Sequence, residues 1–562
     1  MRTLRELRYL RPAFGGIKGL IVAMGAVTLL VSFVSLAPPY LTKLLFDQGV
    51  MAGEVGRIVH YGILAIAAYL LIAGGHFVAQ ALFALGSSRF TVEVKSQALR
   101  RLLGMPLEFL DQKQSGYLVN RLNEVDALST LFSPMIFQFA SSLIQFAGAI
   151  GIMAAISPRI TGLALLFAPL YYFIARATSR TLRRSTQVLM ETTAQTRGSL
   201  QEAVSGAADL KQSVAEGAKA QDIARQFSTV ATQRVRQSVF MGGGTQSIGF
   251  LTNLASVLVL MLSGVLITRG GLSVGDYMAL AGYVGRIFLP SQLFGSVALT
   301  VQPVLVALAR LAPLFEKKTE KELWGDLLVD KLQGHVEFRN VYFAYDPAKG
   351  NVIRGASFSI GPGERVALLG PNGSGKSTLM KLLLGFYPNY RGEILIDGVE
   401  LHKYDVGSLR KRIGIISQNA FLFTGTLWEN VKIANTSATD EEVERVFALS
   451  GCTHVFDGDL RRVFISEAGR NLSGGQRQAV AIARCLLKNP ELVIFDEATA
   501  HLDREAREVV MHAFVEALKG KTCVLITHDP AIAGFAKRIL LLENGKVKPA
   551  STAGTGIKAP GE

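Results

Sequence analysis

The chain has 562 residues, with 59 Lys+Arg against 44 Asp+Glu and a formal charge of +15. Hydrophobic residues reach 49%, charged residues only 18%, and mean hydropathy is +0.31; an ordinary soluble domain carries about 25% charged residues. So apolar a composition excludes a disordered chain, and 3 cysteines exclude a disulfide scaffold.

In chain order, Leu4, Leu7 and Leu10 repeat beside Arg2, Arg5, Arg8 and Arg11, the pattern of a basic helix lying on a membrane surface; we assign it to residues 1–16. The apolar stretch that follows ends in Ser35-Leu36-Ala37, like a secretory signal, but it is longer than a signal core and runs into Pro38-Pro39, so we read it as a retained span. No Asp, Glu, Lys or Arg occurs between Lys18 and Lys43, nor in Ile58–Ser88, Ala127–Pro158, Ile160–Ala175, Gln237–Thr268 and Ile287–Ala309. A hydrocarbon core of ~30 Å needs about 20 apolar residues in a helix. Five runs are long enough, and Tyr171, Tyr172, Arg176 and Arg180 complete the shorter Ile160–Ala175 run at the interface. Six spans over residues 17–315 are predicted.

The long connections are basic (Arg89, Lys95, Arg100 and Arg101 in one; Arg176, Arg180, Arg183 and Arg184 in the other), whereas Asp47–Arg57, Ser157–Arg159 and Arg269–Asp276 are short. The basic side faces the cytoplasm, which puts the N-terminus and the C-terminal half inside, in the cytoplasmic membrane, and accounts for the +15 without a nucleic-acid partner. Helical arms are expected at Arg89–Leu103 and Tyr117–Thr130, and at Arg176–Leu200 and Ala215–Arg236 with a break at Ser205-Gly206-Ala207. Arg286 lies nine residues past Tyr277, about 14 Å into the last span. An intramembrane charge is a candidate for the substrate cavity, where it would favour an acidic or polar group.

Beyond a linker at 316–333, residues 334–549 alternate strand-like and helical stretches, which predicts an α/β domain around a largely parallel sheet, with 550–562 as a tail. Strand Arg365–Leu369 runs into Gly370-Pro371-Asn372-Gly373-Ser374-Gly375-Lys376-Ser377-Thr378 and an apolar helix. This is the phosphate loop: glycines let backbone N–H groups converge on phosphate oxygens, Lys376 meets the β/γ-phosphates and Ser377 can ligate Mg²⁺. Leu492–Phe495 ends in Asp496-Glu497; Asp496 suits the Mg²⁺ shell and Glu497 can polarise a water. Ser473-Gly474-Gly475-Gln476 leads a further helix, a second anion-binding N-terminus on one domain.

These motifs together resemble the ATP-binding cassette (ABC) transporters, and six spans followed by a cassette on one chain resemble an exporter half-transporter. The resemblance implies that Tyr345 stacks on adenine, that Gln418 belongs to the glutamine loop that touches metal and nucleotide, and that His528 is the switch histidine beside the γ-phosphate. It also implies that Ser473, Gly474, Gly475 and Gln476 close over ATP held by a partner's phosphate loop, in a two-fold homodimer of half-transporters. Leu107–Gly116 and Glu202–Glu216 resemble the coupling helices, and Glu467 the exporter-specific loop. Asp503 matches the D-loop, although Ala500-His501 replaces the family's usual Ser-Ala before it. The implied activity is ATP-driven export or flipping of an amphipathic peptide, lipid or drug; an ATP-gated, channel-like membrane ATPase is the alternative.

Overall fold

A computed structural model describes residues 7–113, 115–417, 420–497, 519–527 and 530–549. The chain forms two compact units: Met1–Arg100 with Gly116–Glu316, and Arg101–Ser115 with Lys317–Glu562.

The first unit is helical. Its longest helices are Val55–Leu103, Ala168–Ser205, Glu216–Thr268 and Val274–Glu316, of 49, 38, 53 and 43 residues. At 1.5 Å per residue they measure ~57 to ~80 Å, roughly twice a bilayer's hydrocarbon thickness or more. Among the described residues, five stretches are long and apolar enough to cross a membrane: Lys18–Val50, Val55–Leu103, Leu118–Ile156, Pro158–Thr178 and Glu216–Thr268. The remaining apolar run, Ile287–Ala309, lies in helix Val274–Glu316, which tolerates Pro290, Pro303 and Pro313. The first run is broken: helix Lys18–Val34 stops, and Pro38 and Pro39 enter the first turn of helix Ala37–Leu44, where a missing N–H costs little.

The interior of this unit is close-packed around Tyr171, whose ring stacks on Phe288 at 4.0 Å. Its outside carries Ile63, Leu70, Leu71 and Phe77, each more than half exposed. Such a surface loses in water ~25 cal/mol for each Å² left uncovered and suits lipid. The short connections after the first helices and before the last one meet at one end. Asp47 accepts hydrogen bonds from Ser273 Oγ (2.8 Å) and the Gly275 amide (3.0 Å), and Lys43 pairs with Asp276 at 2.7 Å. The predicted arm Tyr117–Thr130 is not one helix; it divides into Ser115–Asn123, Val125–Leu128 and a 3₁₀ turn Ser129–Phe132. The predicted break near Ser205-Gly206 is present, Gly206 leaving helical geometry before the short helix Ala207–Gln212.

The second unit corrects one expectation. Rather than a single largely parallel sheet, it has two principal sheets and a small ribbon. Strands β1 (Val336–Phe343), β2 (Ile353–Ile360), β4 (Arg391–Ile396) and β5 (Val399–Glu400) form an antiparallel sheet in the order β2-β1-β4-β5. Strand β1 buries Val336, Phe338, Val341 and Phe343 and turns Glu337 and Arg339 outward, the period-two pattern of a sheet with one wet face. The second sheet runs β12-β11-β3-β10-β9-β6, from Lys546–Pro549, Arg538–Glu543, Arg365–Leu369, Thr522–Ile526, Leu492–Asp496 and Ile413–Ser417. Its other five strands are mutually parallel and only β12 is antiparallel. Here β9 and β10 are almost wholly buried, as strands covered on both faces must be. The predicted linker segment contributes Trp324, Val329 and Leu332 to the core between these sheets.

Three helices beyond the sheets start on capping boxes: Thr426 with Glu429, Thr439 with Glu442 and Ser473 with Gln476. The last of them, Gly474–Leu487, buries Ala481, Ile482 and Cys485 against the parallel sheet and Ala479, Val480, Ala483 and Leu487 against the small helices.

One tight point tests the antiparallel sheet. Gly392 has φ +92°, and a Cβ there would lie 2.3 Å from the Asn340 carbonyl oxygen and 2.6 Å from that of Arg339. Gly392→Ala should cost about 2–3 kcal/mol and lower the thermal midpoint of the purified chain. Gly398→Ala, at φ +78° but facing open space, should cost only about 1 kcal/mol.

Candidate nucleotide site

The parallel strands bring the predicted residues to one edge. Register pairs Ser417 with Asp496, Asp496 with Ile526 and Ile526 with Leu368. The carboxyl ends of β6, β9, β10 and β3 are therefore level, and the phosphate loop leaves from the last of these, β3, at Gly370. In open α/β sheets ligands bind at this end of the strands. Gln418 and His528, one and two residues past β6 and β10, lie outside the described residues, as does Asp503.

The loop closes tightly. Gly370 has φ +156°, and a Cβ there would sit 2.4 Å from the Leu542 carbonyl oxygen; Gly373 (φ +77°) and Gly375 (φ +106°) complete a path that side chains disfavour. Lys376 opens helix Lys376–Leu383, is buried, and folds its ammonium back to the carbonyls of Gly370 (2.8 Å) and Pro371 (3.1 Å). Pro371 and Asn372 form the exposed tip. Ser374 Oγ is buried and, among the described residues, has no hydrogen-bond partner, which fits a donor meant for a phosphate oxygen. Thr378 Oγ1 and Tyr345 Oη lie 3.1 Å apart. The half-exposed Tyr345 ring stands edge-on to Phe343 and Tyr387, with the Lys381 ammonium 5.8 Å from its centroid.

Ser377 Oγ donates to Asp496 Oδ1 at 3.4 Å. Burial, reinforced by the neighbouring Glu497 charge, raises the Asp496 pKa above the ordinary carboxylate value, the situation a divalent cation would relieve. Among the described residues no group of three or more His, Cys, Asp or Glu could hold a metal. The hydroxyl–carboxylate pair fits Mg²⁺ shared with phosphate oxygens, the way this hard ion is usually bound. Glu497 follows with φ +48°, its amide bonded to the Ile526 carbonyl at 2.9 Å. A non-glycine residue held in the left-handed region costs on the order of 1 kcal/mol or more and recurs at working sites.

Ser473 is exposed at the start of its helix. Its Oγ accepts the Gln476 amide at 3.2 Å while Gln476 Oε1 accepts the Ser473 amide at 2.9 Å, and Gln476 Nε2 donates to the Val455 carbonyl. Gly474 and Gly475 form the first helical turn between them. The residue that locks this helix to helix Leu427–Lys432 and to the loop after β6 was not evident from any motif. Arg484 donates to the Asn430 carbonyl and side chain and to the Phe421 carbonyl at 2.6–2.7 Å.

Two other contacts also escaped the motifs. Segment 101–115 belongs to the ATP-site unit although it interrupts the helical one. Its short helix Leu107–Asp111 is held by Tyr387 Oη, which donates to Asp111 Oδ2 at 2.6 Å, and by Asn389 Nδ2, which donates to Glu108 Oε2 at 3.1 Å. Burial and then the Asp111 carboxylate push the Tyr387 hydroxyl above the usual tyrosine range, so it remains a donor. Tyr387 thus touches Asp111 on one side and Tyr345 on the other. A pair 276 residues apart in sequence leaves no local signal.

Arg286, the predicted intramembrane candidate, lies near the Tyr283 ring, 5.8 Å from its centroid; Tyr283 in turn donates to the Leu36 carbonyl. Its Nη1 is buried and, among the described residues, unpartnered.

A phosphate loop, an acidic pair at a strand end and a serine-glycine-glycine helix start, following a long-helix membrane unit, define a transport ATPase of the cassette type. The comparisons agree. Residues 353–500 match the family model for the ABC transporter, and residues 21–291 match that for the ABC transporter transmembrane region. The chain belongs to the ABC transporters, with membrane and ATP-binding parts fused as in a half-transporter. It is 30% identical over 473 residues to the alpha-hemolysin translocation ATP-binding protein of Escherichia coli, covering 83% of this chain and 66% of that protein. The toxin RTX-I translocation ATP-binding protein of Actinobacillus pleuropneumoniae is 29% identical over the same coverage. The chain thus spans 66% of the length of these relatives. The solved structure of a bacterial Atm1-family ABC exporter with ATP bound superposes with a TM-score of 0.82 at 24% identity, covering 94% of both chains. At that identity the likeness is one of fold.

Proposed function

We propose that this protein is an ATP-driven exporter or flippase of an amphipathic substrate, working as a homodimer of half-transporters in the cytoplasmic membrane. Residues 1–16 form an interfacial element, 17–315 a six-span membrane domain, 316–333 the connection and 334–549 the ATPase domain, with N-terminus and ATPase on the cytoplasmic side. Each ATP lies between the phosphate loop of one copy, with Tyr345 against adenine and Lys376 on the phosphates, and the Ser473–Gln476 helix start of the other. Ser377 and Asp496, with Gln418, would hold Mg²⁺, which supplies charge neutralisation on the phosphates. Glu497 accepts the proton of the attacking water, and His528 orients the γ-phosphate. ATP drives the cycle because it binds the closed pair better than the open one.

The observation that carries this reading is the segment 101–115. It leaves the membrane unit, packs in the ATPase unit and bonds through Asp111 to Tyr387, next to the nucleotide-site tyrosine Tyr345. The test is uphill accumulation of labelled peptides, lipids and dyes in inside-out proteoliposomes. ATP-dependent accumulation against a gradient supports pumping; ATP-dependent movement only down the gradient supports the gated-channel alternative. Asp111→Asn should lower the amount transported per ATP hydrolysed several-fold, since it weakens a charge-assisted bond; an unchanged ratio would remove Asp111 from the coupling route.

A further inference from the structure

Within the helical unit a cavity of about 1210 Å³ opens between helices Pro134–Ile156, Ala168–Ser205, Glu216–Thr268 and Val274–Glu316. It is somewhat larger than the ~300–1,000 Å³ usual for small-molecule sites. Three arginines line it, Arg176, Arg184 and Arg236, and none of its lining residues is acidic. Arg286 is not among them.

Two of the arginines, Arg176 and Arg236, lie against aromatic rings rather than carboxylates. Arg176 Nη1 donates to Tyr172 Oη at 2.8 Å with its guanidinium 5.8 Å from that ring's centroid, and Arg236 lies 5.8 Å from the Phe240 centroid. Among the described residues, none of the three pairs with an Asp or Glu. Ser185 Oγ, also in the lining, is buried without a hydrogen-bond partner among the described residues. Beside them Gln237 Nε2 donates to Thr186 Oγ1 at 2.6 Å and clamps the two arginine-bearing helices together. Arg176 and Arg184 are eight residues apart on one helix, so their charges are spread over ~12 Å of its length. The opposite wall supplies Phe139 and Phe294.

Three like charges in one cleft repel unless an anion joins them, and a cleft lined by one sign of charge concentrates ligands of the other. Guanidinium groups also offer paired donors to carboxylate, sulfate or phosphate. We infer that the cavity takes anionic amphiphiles, with the acidic group on Arg176, Arg184 and Arg236 and the apolar body along the aromatic wall. This names the substrate class for the transport reading above and rests on it. The anion could belong to an acidic lipid of the bilayer or to a soluble compound; the chemistry is shared.

The test uses the full chain in phosphatidylcholine nanodiscs and the fluorescence of pyrenebutyrate, pyrenebutanol and pyrenebutylammonium, with empty nanodiscs subtracted. Pyrenebutyrate should bind saturably and roughly tenfold or more tighter than the other two. Replacing all three arginines by Gln should weaken it by about tenfold or more and leave pyrenebutanol unmoved, and replacing them by Lys should restore part of the affinity, since Lys keeps the charge without the paired donors. Should the Gln triple fail to assemble on size exclusion, Arg184→Gln and Arg236→Gln alone should each weaken pyrenebutyrate several-fold. Competition by added phosphatidylglycerol assigns the anion to lipid, and its lack assigns it to a soluble compound; either supports the class. Equal binding of the three probes, no saturable pyrenebutyrate binding, or Gln variants that bind like wild type would overturn the inference. Failure of ATP-dependent movement in the proteoliposome assay would overturn the transport reading instead, and these binding results would not depend on it.

Discussion

Glu497→Gln is expected to reduce steady-state ATP hydrolysis on the order of 10²–10⁴-fold, the range for loss of a general base. The effect should be large because the position is specialised twice over. Its backbone stands at φ +48° just past the end of β9, with its own amide donating to the Ile526 carbonyl, and its neighbour Asp496 is turned to Ser377. In the proposed cycle the two carboxylates divide the work, Asp496 toward the cation and Glu497 toward the water. Gln preserves shape and hydrogen bonding but cannot take a proton, so nucleotide binding should persist while phosphate release stops. Phosphate release and labelled-ATP binding on the same nanodisc sample separate these effects. A Gln variant that turns over near the wild-type rate would remove Glu497 as the base.

Lys376→Ala is the second large effect. The buried ammonium lies among loop carbonyls, bonded to Gly370 and Pro371, inside the ring of backbone that Gly370, Gly373 and Gly375 shape. Losing a charged donor to phosphate should weaken ATP binding about 10–100-fold. The same substitution removes two contacts to the loop itself, so a small loss of thermal stability should accompany it. Adding saturating ATP should raise the melting temperature of the wild type and not of the variant, because ligand stabilisation scales with affinity. Equal ATP-induced shifts in both would contradict the role given to Lys376.

How far the sequence revealed this arrangement depended on the range of the interactions. The phosphate loop and the serine-glycine-glycine helix start are local: Gly370 to Thr378 and Ser473 to Gln476 are each fixed by turn geometry and capping within a few residues. The long uncharged runs were equally legible, because lipid demands them. Strand β6, Ile413–Ser417, was not recognised; it is short and interrupted by Gly414, where a Cβ would lie 2.5 Å from Cys485 Sγ. The separate antiparallel sheet was missed because alternation in β1 looks the same whichever sheet the strand joins. Contacts such as Tyr387 with Asp111 and Arg484 with Asn430 join distant segments, and no periodicity encodes them. Arg286 drew attention as a lone intramembrane charge, while the three arginines that share a cavity looked like ordinary interfacial residues until the helices were assembled.

The central claim is that ATP is held between two copies, and cross-linking tests it most directly. Asn372 at the loop tip and Ser473 are both exposed. The native Cys452, Cys485 and Cys523 are buried, with burial pushing the Cys452 thiol up to about 11, so they do not compete for a thiol cross-linker. In a Glu497→Gln chain carrying Asn372→Cys and Ser473→Cys, a short bifunctional reagent should produce a covalent dimer with ATP and little without it. A product that stays monomeric whether or not ATP is present would contradict the account.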